Sequence, residues 1–234
     1  MIRGKTKQYL RYSPGGYFNL VSSGRGGCVY LGTKGFTELA AVAAAQDVVI
    51  WDIRKKERVN VLPGGEKFYH DVTCVASNDS GSIVAVGYTN GSIKLFDTAS
   101  GESEVTFSGH KNDVTCMCFD EEGMKLVSGS KDTTIIVWDI VAESGLYKLH
   151  GHKGGVTAVK FMRSERNIVV SSAKDTHVKF WDMTTQHCFK TMAGHVTEIW
   201  DIALLEEDTL LVTGGSDAEL RVWKLEFSQT EGNI

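Results

Sequence analysis

The sequence predicts an all-β fold, a β-propeller of about five four-stranded blades, on the strength of two observations. First, the segments VVIWDI, IKLFDT, IIVWDI, VKFWDM and LRVWKL share one pattern, and their aromatic residues Trp51, Phe96, Trp138, Trp181 and Trp223 lie 45, 42, 43 and 42 positions apart. A fixed period of that size marks a supersecondary unit that buries its apolar faces against its neighbours. Second, each period divides into short runs of alternating apolar residues separated by turn residues, with no sustained helical periodicity. The 25 glycines set against two prolines fit many tight turns.

The third period is the clearest and begins at Gly109-His110. VTCMCF (114–119) alternates as a half-buried strand. KLVSGS (125–130) follows an Asp-Glu-Glu-Gly turn, TIIVWDI follows Lys131-Asp132-Thr133, and GLYKL closes the unit before Gly151-His152. The next periods repeat it as VTAVKF, NIVVSS, VKFWDM and CFKTM, then as EIWDIAL, TLLVTGG and LRVWKL. An earlier one reads VTCVAS, IVAVGY, SIKLFD and EVTFS. The first period is less regular, with strands expected at CVYLGT, TELAAVAAA, DVVIWDI and RVNVL.

This spacing and the Trp-Asp dipeptide are those of WD40 blades. The expected division is an N-terminal segment 1–27, five blades over 28–227 and a flexible tail 228–234. The blades run 28–65, 66–109, 110–151, 152–194 and 195–227. Segment 17–23 (YFNLVSS) is read as an outer strand of a different blade, because the last blade lacks a fourth strand of its own. The array is then either a five-bladed ring or an incomplete piece of a seven-bladed one.

Bulk properties narrow the function. With 42% hydrophobic and 23% charged residues the composition is that of an ordinary globular domain, and a net charge of −4 gives no global reason to bind nucleic acid. The five cysteines form no CxxC pair, which points to a reducing compartment. The basic N-terminus has no apolar stretch behind it, and the longest apolar run, 39–45, is far too short to span a bilayer. A cytosolic or nuclear protein is expected.

Serine, histidine and aspartate recur in a set that invites a hydrolase reading. The third period holds His110, Ser128, Asp132 and Trp138, the fourth His152, Ser171, Asp175 and Trp181, the fifth His195, Thr213, Asp217 and Trp223. One nucleophile built three times at one blade's spacing, once as threonine, is a poor catalytic design. A buried hydrogen-bonded chain that rigidifies each blade accounts for the recurrence better. The first two blades lack the set: Gly64-Gly65 stand where the loop histidine is expected, Gly87 where the hydroxyl is expected, and Phe96 replaces tryptophan. They are expected to lean on apolar packing and to be the looser ones.

The remaining signals have bland readings. His150-Gly-His152 lacks companion ligands at zinc spacing, so no metal site is expected, nor any cofactor or small-molecule substrate. Cys74 and Cys116 hold the place of Ala158 and read as small buried side chains. The glycine-rich stretch 22–27 lacks a Lys-Ser/Thr ending and reads as a turn, not a phosphate loop. The basic clusters at 54–58 and at Arg3, Lys5, Lys7 and Arg11 read as a solvated hairpin and a flexible end. Phosphate-backbone contact is the sharper alternative.

Several segments go beyond a generic blade. TKQYLRY (6–12), GTKG (32–35), GSKDTTIIVWD (129–139), ESGLY (143–147), TQHCFKTMAGH (185–195) and SDAELRVW (216–223) resemble the WD-repeat subunits of the UtpB (Pwp-type) subcomplex of the small-subunit processome. TKQYLRY and TQHCFKTM are not required by a blade and are the specific part of that resemblance. It implies a non-catalytic scaffold in the nucleus and nucleolus, acting in ribosome biogenesis and small-subunit rRNA maturation. The implied partners are other processome proteins, with small nucleolar RNA and pre-rRNA nearby, and no membrane. Those subunits are much longer, with more blades in the first propeller, a second propeller and a helical C-terminal domain, so the chain is expected to be a fragment or a truncated gene product.

Overall fold

In a computed structural model the described residues are 26–34, 37–64, 70–164 and 167–226. They form nineteen strands in five antiparallel sheets, with no helix among them. The first sheet holds β1 (Cys28–Lys34), β2 (Thr37–Ala44), β3 (Asp47–Asp52) and β4 (Glu57–Leu62). The second holds β5 (Val72–Ser77), β6 (Ile83–Tyr88), β7 (Ser92–Asp97) and β8 (Ser103–Ser108). The third holds β9 (Val114–Phe119), β10 (Lys125–Ser130), β11 (Ile135–Asp139) and β12 (Ser144–Leu149). The fourth holds β13 (Val156–Phe161), β14 (Ile168–Ala173), β15 (His177–Asp182) and β16 (His187–Ala193). The fifth has three described strands, β17 (Ile199–Leu205), β18 (Leu210–Gly215) and β19 (Leu220–Lys224). Both the outer strand expected at 17–23 and the tail 228–234 lie outside the described residues.

Among the described residues every sheet is a meander of consecutive strands, so each of the four complete blades is a contiguous stretch of chain. The aspartate of the Trp-Asp pair closes the turn from third to fourth strand. Asp52, Asp97, Asp139 and Asp182 each accept, through Oδ1, the backbone N–H two residues further on, at 2.8–2.9 Å. Carboxylates favour such turns because they satisfy donors the ladder leaves free. The fifth period has Lys224 at that place. A bulge falls at the aromatic residue in all four complete sheets, beside Trp51, Phe96, Trp138 and Trp181.

The core lies between sheets, not within any of them. Four apolar clusters fill the joints from first to second sheet through fourth to fifth, and buried branched residues such as Ile93, Val127 and Val170 supply their walls. At roughly 1.5–3 kcal/mol for each fully buried Leu, Ile, Val or Phe side chain, these joints hold the array together. Two glycines let the sheets come close. A Cβ on Gly87 would lie 2.7 Å from Cys74 Sγ and 2.9 Å from Val114. A Cβ on Gly129 would lie 2.7 Å from Cys116 Sγ and 2.5 Å from Val156. Hydrogen bonds cross all four joints as well, among them Val72 N–H to the Ala45 carbonyl and Ser164 N–H to Asp208 Oδ2. Thr73 Oγ1 donates to the Val114 carbonyl and Thr115 Oγ1 to the Val156 carbonyl, both at 2.5 Å.

Candidate functional site

The three sets of histidine, hydroxyl, aspartate and tryptophan each converge on one edge of a sheet. The histidine arrives from the loop before the first strand, the hydroxyl from the second strand, the aspartate from the following turn and the indole from the third strand. In the third sheet His110 Nε2 lies 2.8 Å from Ser128 Oγ, and Trp138 Nε1 donates to that same oxygen at 2.8 Å. His110 Nδ1 lies 3.2 Å from both Asp132 Oδ2 and Thr134 Oγ1. The fourth sheet repeats this with His152–Ser171 at 2.8 Å, Trp181–Ser171 at 2.8 Å and His152–Asp175 at 2.9 Å. In the fifth, His195–Thr213 is 2.7 Å, Trp223–Thr213 is 3.0 Å and His195–Asp217 is 2.9 Å.

One order of protons satisfies every group. Burial holds His110 and His152 below the ordinary histidine pKa despite their aspartates, so the rings are neutral near pH 7. A neutral ring that donates Nδ1–H to the carboxylate must accept at Nε2 from the Ser or Thr hydroxyl. The hydroxyl in turn accepts the indole N–H. Burial pushes Asp132 upward, but hydrogen bonds from Thr134 and from the N–H groups of Lys111 and Thr134 outweigh it and bring the carboxyl to about 2. Asp175 and Asp217 are lowered too: burial opposes them, and hydrogen bonds led by the Lys153 N–H and by His195 prevail. Asp132 and Asp175 also accept the N–H of the residue after the histidine, Lys111 or Lys153, at 2.8 Å. Each network therefore ties a loop to a turn.

The Gly-His dipeptide has a steric basis. A Cβ on Gly109 would sit 2.9 Å from Trp138, on Gly151 3.1 Å from Trp181, and on Gly194 2.5 Å from Trp223. The residue before the histidine is the floor on which the indole rests, and only glycine fits without displacement.

The first two sheets are built differently. In the ladder Ser128 faces Ile136 across the hairpin, and the residue that faces Lys94 in the second sheet is Val86. The hydroxyl's place thus falls to Val86, not to the Gly87 that residue counting suggests. Gly87 pairs with Ile93 as Gly129 does with Ile135, and takes the close-approach role. In the first sheet Val42 faces Val49 at the same place. Gly64 donates its N–H to Asp47 Oδ1 and accepts from Lys94 Nζ, while Gly65 lies outside the described residues.

Sequence reasoning missed one exposed feature. Trp200 holds the first-strand position occupied by Thr73, Thr115 and Thr157 in the three preceding sheets, and its side chain is half exposed. Its Nε1 donates to Ser216 Oγ at 2.5 Å, and Lys174 Nζ stands 4.6 Å from its ring centroid. The break in the threonine column was the available signal.

A family model, described as the WDR3 first beta-propeller domain, matches residues 38–225. The chain belongs to this family. It is 48% identical over 96 residues to WD repeat-containing protein 3 of Mus musculus and 49% identical over 96 residues to that of Homo sapiens. Each alignment covers 40% of this chain and 10% of the relative, so the match to the WDR3 proteins spans a tenth of their length. The chain is also 31% identical over 187 residues to the nuclear distribution protein nudF of Aspergillus niger, covering 76% of this chain and 42% of that protein. Like the WDR3 propeller domain, it is a WD-repeat scaffold in its architecture.

Proposed function

We propose that this chain is a non-catalytic scaffold in small-subunit ribosome biogenesis. In this reading it sits in the nucleolus, binds other processome proteins of the UtpB type, and works close to small nucleolar RNA and pre-rRNA. The observation that carries the reading is membership of the WDR3 first-propeller family over residues 38–225. The resemblance of TKQYLRY and TQHCFKTM to processome WD-repeat subunits supports it.

The network geometry supports the non-catalytic part. Ser128, Ser171 and Thr213 are fully buried, and each hydroxyl oxygen already accepts a Trp N–H. A nucleophile needs a substrate carbonyl within about 3–3.5 Å, and these oxygens are sealed between sheets. The exposed loops and sheet edges are left to carry binding, as in other rigid scaffolds.

A tagged form of the chain, sedimented through a gradient and recovered after crosslinking, tests the proposal. Co-migration with large pre-ribosomal particles and enrichment of small nucleolar RNA are expected. A second reading is a WD40 adaptor of another class, such as a ubiquitin-ligase substrate receptor or signalling scaffold; the 31% identity to nudF supports it only in that this repeat pattern is not confined to the WDR3 proteins. Recovery with partners of that kind and without RNA would put the second reading first.

A further inference from the structure

The turn between β6 and β7 holds the one Asn-Gly pair in the sequence, Asn90-Gly91; every other asparagine precedes a larger residue. In the ladder Gly87 faces Ile93 as Gly129 faces Ile135, which puts Asn90 in register with the network aspartate Asp132. Its carbonyl oxygen is used in the same way. Asn90 Oδ1 accepts the Ser92 N–H at 2.9 Å and the Ser92 hydroxyl at 2.7 Å. Asp132 Oδ1 accepts the N–H and the hydroxyl of Thr134 at 2.9 and 2.6 Å. The second sheet thus has an amide where the third, fourth and fifth have a carboxylate, and that amide is exposed.

An exposed asparagine amide before glycine is open to attack by its own backbone. The nucleophile is the nitrogen of the following residue, held in place by the chain, and the ring that forms has five members. Glycine leaves that nitrogen unhindered, because it has no Cβ. Two donors already sit on Oδ1, the oxygen that takes up negative charge as nitrogen adds to Cγ, so the oxyanion is stabilised in advance. Against this, the Gly91 N–H donates to the Tyr88 carbonyl at 3.1 Å, and attack waits for that bond to open. The net worth of one such bond slows the reaction roughly fivefold and does not forbid it.

We propose that Asn90 is a deamidation site, converted to aspartate and isoaspartate with Ser92 holding the charge that develops on Oδ1. The Gly91 nitrogen bonds to Asn90 Cγ and the Cγ–Nδ2 bond breaks. A proton passes from that nitrogen, through water, to the departing ammonia. Water then opens the cyclic imide. Cleavage of the new N–Cγ bond gives aspartate on an unchanged main chain. Cleavage of the original peptide bond gives isoaspartate, with the main chain routed through Cγ.

The two products differ in consequence. Aspartate at 90 gives the second sheet a carboxylate in the register of Asp132, Asp175 and Asp217. Isoaspartate lengthens the turn by one carbon where there is no room. A Cβ on Gly91 would lie 2.6 Å from the His110 carbonyl oxygen and 3.0 Å from that of Asn112. The lengthened turn presses on the loop that carries the third sheet's histidine.

Ageing the whole chain at mildly alkaline pH and body temperature tests this, with peptic peptides mapped by mass at intervals. Digestion in acid keeps the mapping itself from deamidating the chain. The peptide holding Asn90 is expected to gain one mass unit and to resolve into two isomers, one of them a substrate for protein isoaspartyl methyltransferase. Asn60, Asn78, Asn112 and Asn167 keep their mass over the same period. Ser92→Ala, which takes one donor from Oδ1, slows conversion roughly fivefold. Asn90→Gln, whose cyclisation needs a six-membered ring, abolishes it. Amides 109–113 exchange faster in the aged chain than in the fresh one, and Asn90→Asp leaves them unchanged. An Asn90 peptide of constant mass overturns the proposal. So does earlier conversion of another asparagine, or conversion of Ser92→Ala at the parent's rate or faster.

Discussion

The second and third sheets bury the same face by opposite means. In the second, Val86 and Phe96 close it with carbon alone, and both are fully buried. In the third, Ser128 and Trp138 occupy the same places, are buried as well, and need His110 and Asp132 to satisfy them. The hydrogen-bonded chain is therefore not required to pack a sheet. What it adds is a tie between the loop at 109–113 and the turn at 131–134, which apolar packing does not supply. That tie has a cost, because a half-satisfied polar network is worse than none.

The sharpest way to break this contrast is Asp132→Ala. It strips the acceptor from His110 Nδ1 and the N–H groups of Lys111 and Thr134, and at about 1–3 kcal/mol for each group left unsatisfied the expected loss is about 3 kcal/mol. Urea unfolding at unchanged m-value measures it. The reciprocal change, Val86→Thr, places a hydroxyl where no histidine or indole meets it, and about 2 kcal/mol of destabilisation is expected. If Val86→Thr were neutral, the second sheet would hold a hidden partner, and the contrast with the third would fail.

Acid should separate the two kinds of sheet. His110 and His152 have folded pKa values below their free value, so below about pH 6.5 the unfolded chain takes up protons that the folded chain does not. Their contribution is complete above that pH and declines as pH falls beneath it. Asp132 and Asp175 are also depressed; their contribution is complete above about pH 4 and is lost as pH falls further, for Asp132 down toward about 2. Amide hydrogen exchange between pH 7 and 4 should therefore show β9–β11 and β13–β15 losing protection while β6 and β7 change less. Uniform loss across the sheets would contradict this.

The smallest expected effect is at the joints. Thr73→Val and Thr115→Val each remove one hydrogen bond to the next sheet, for about 1 kcal/mol. The two should agree, because this contact is common to the apolar and the polar sheets. A difference between their urea midpoints would mean that the network of the third sheet also stiffens its joint.

The period was legible because the Trp-Asp segments recur in both residue type and spacing, and blade order came directly from the chain. The partners in each network were legible for the same reason. The position of the missing hydroxyl was not. Val86 and Gly87 are adjacent, and in a strand a one-residue slip moves a side chain to the other face. Only the ladder, with Val86 opposite Lys94, resolves it. The exposure of Leu220 and Val222 on the fifth sheet, 78% and 64%, was illegible for another reason. Leu220 and Val222 are as apolar as their buried equivalents, and their exposure depends on whether another sheet packs over them.

Each sheet is built from one unbroken stretch of chain and docks on the sheet made just before it. Among the described residues no strand pairs with a distant stretch of chain, so loop-closure cost stays low as these sheets assemble. During synthesis the emerging polypeptide can add finished modules to a growing surface one after another. Until the next one arrives, the latest module displays a sticky flank, and a pause in translation is then the moment of greatest risk from wrong neighbours.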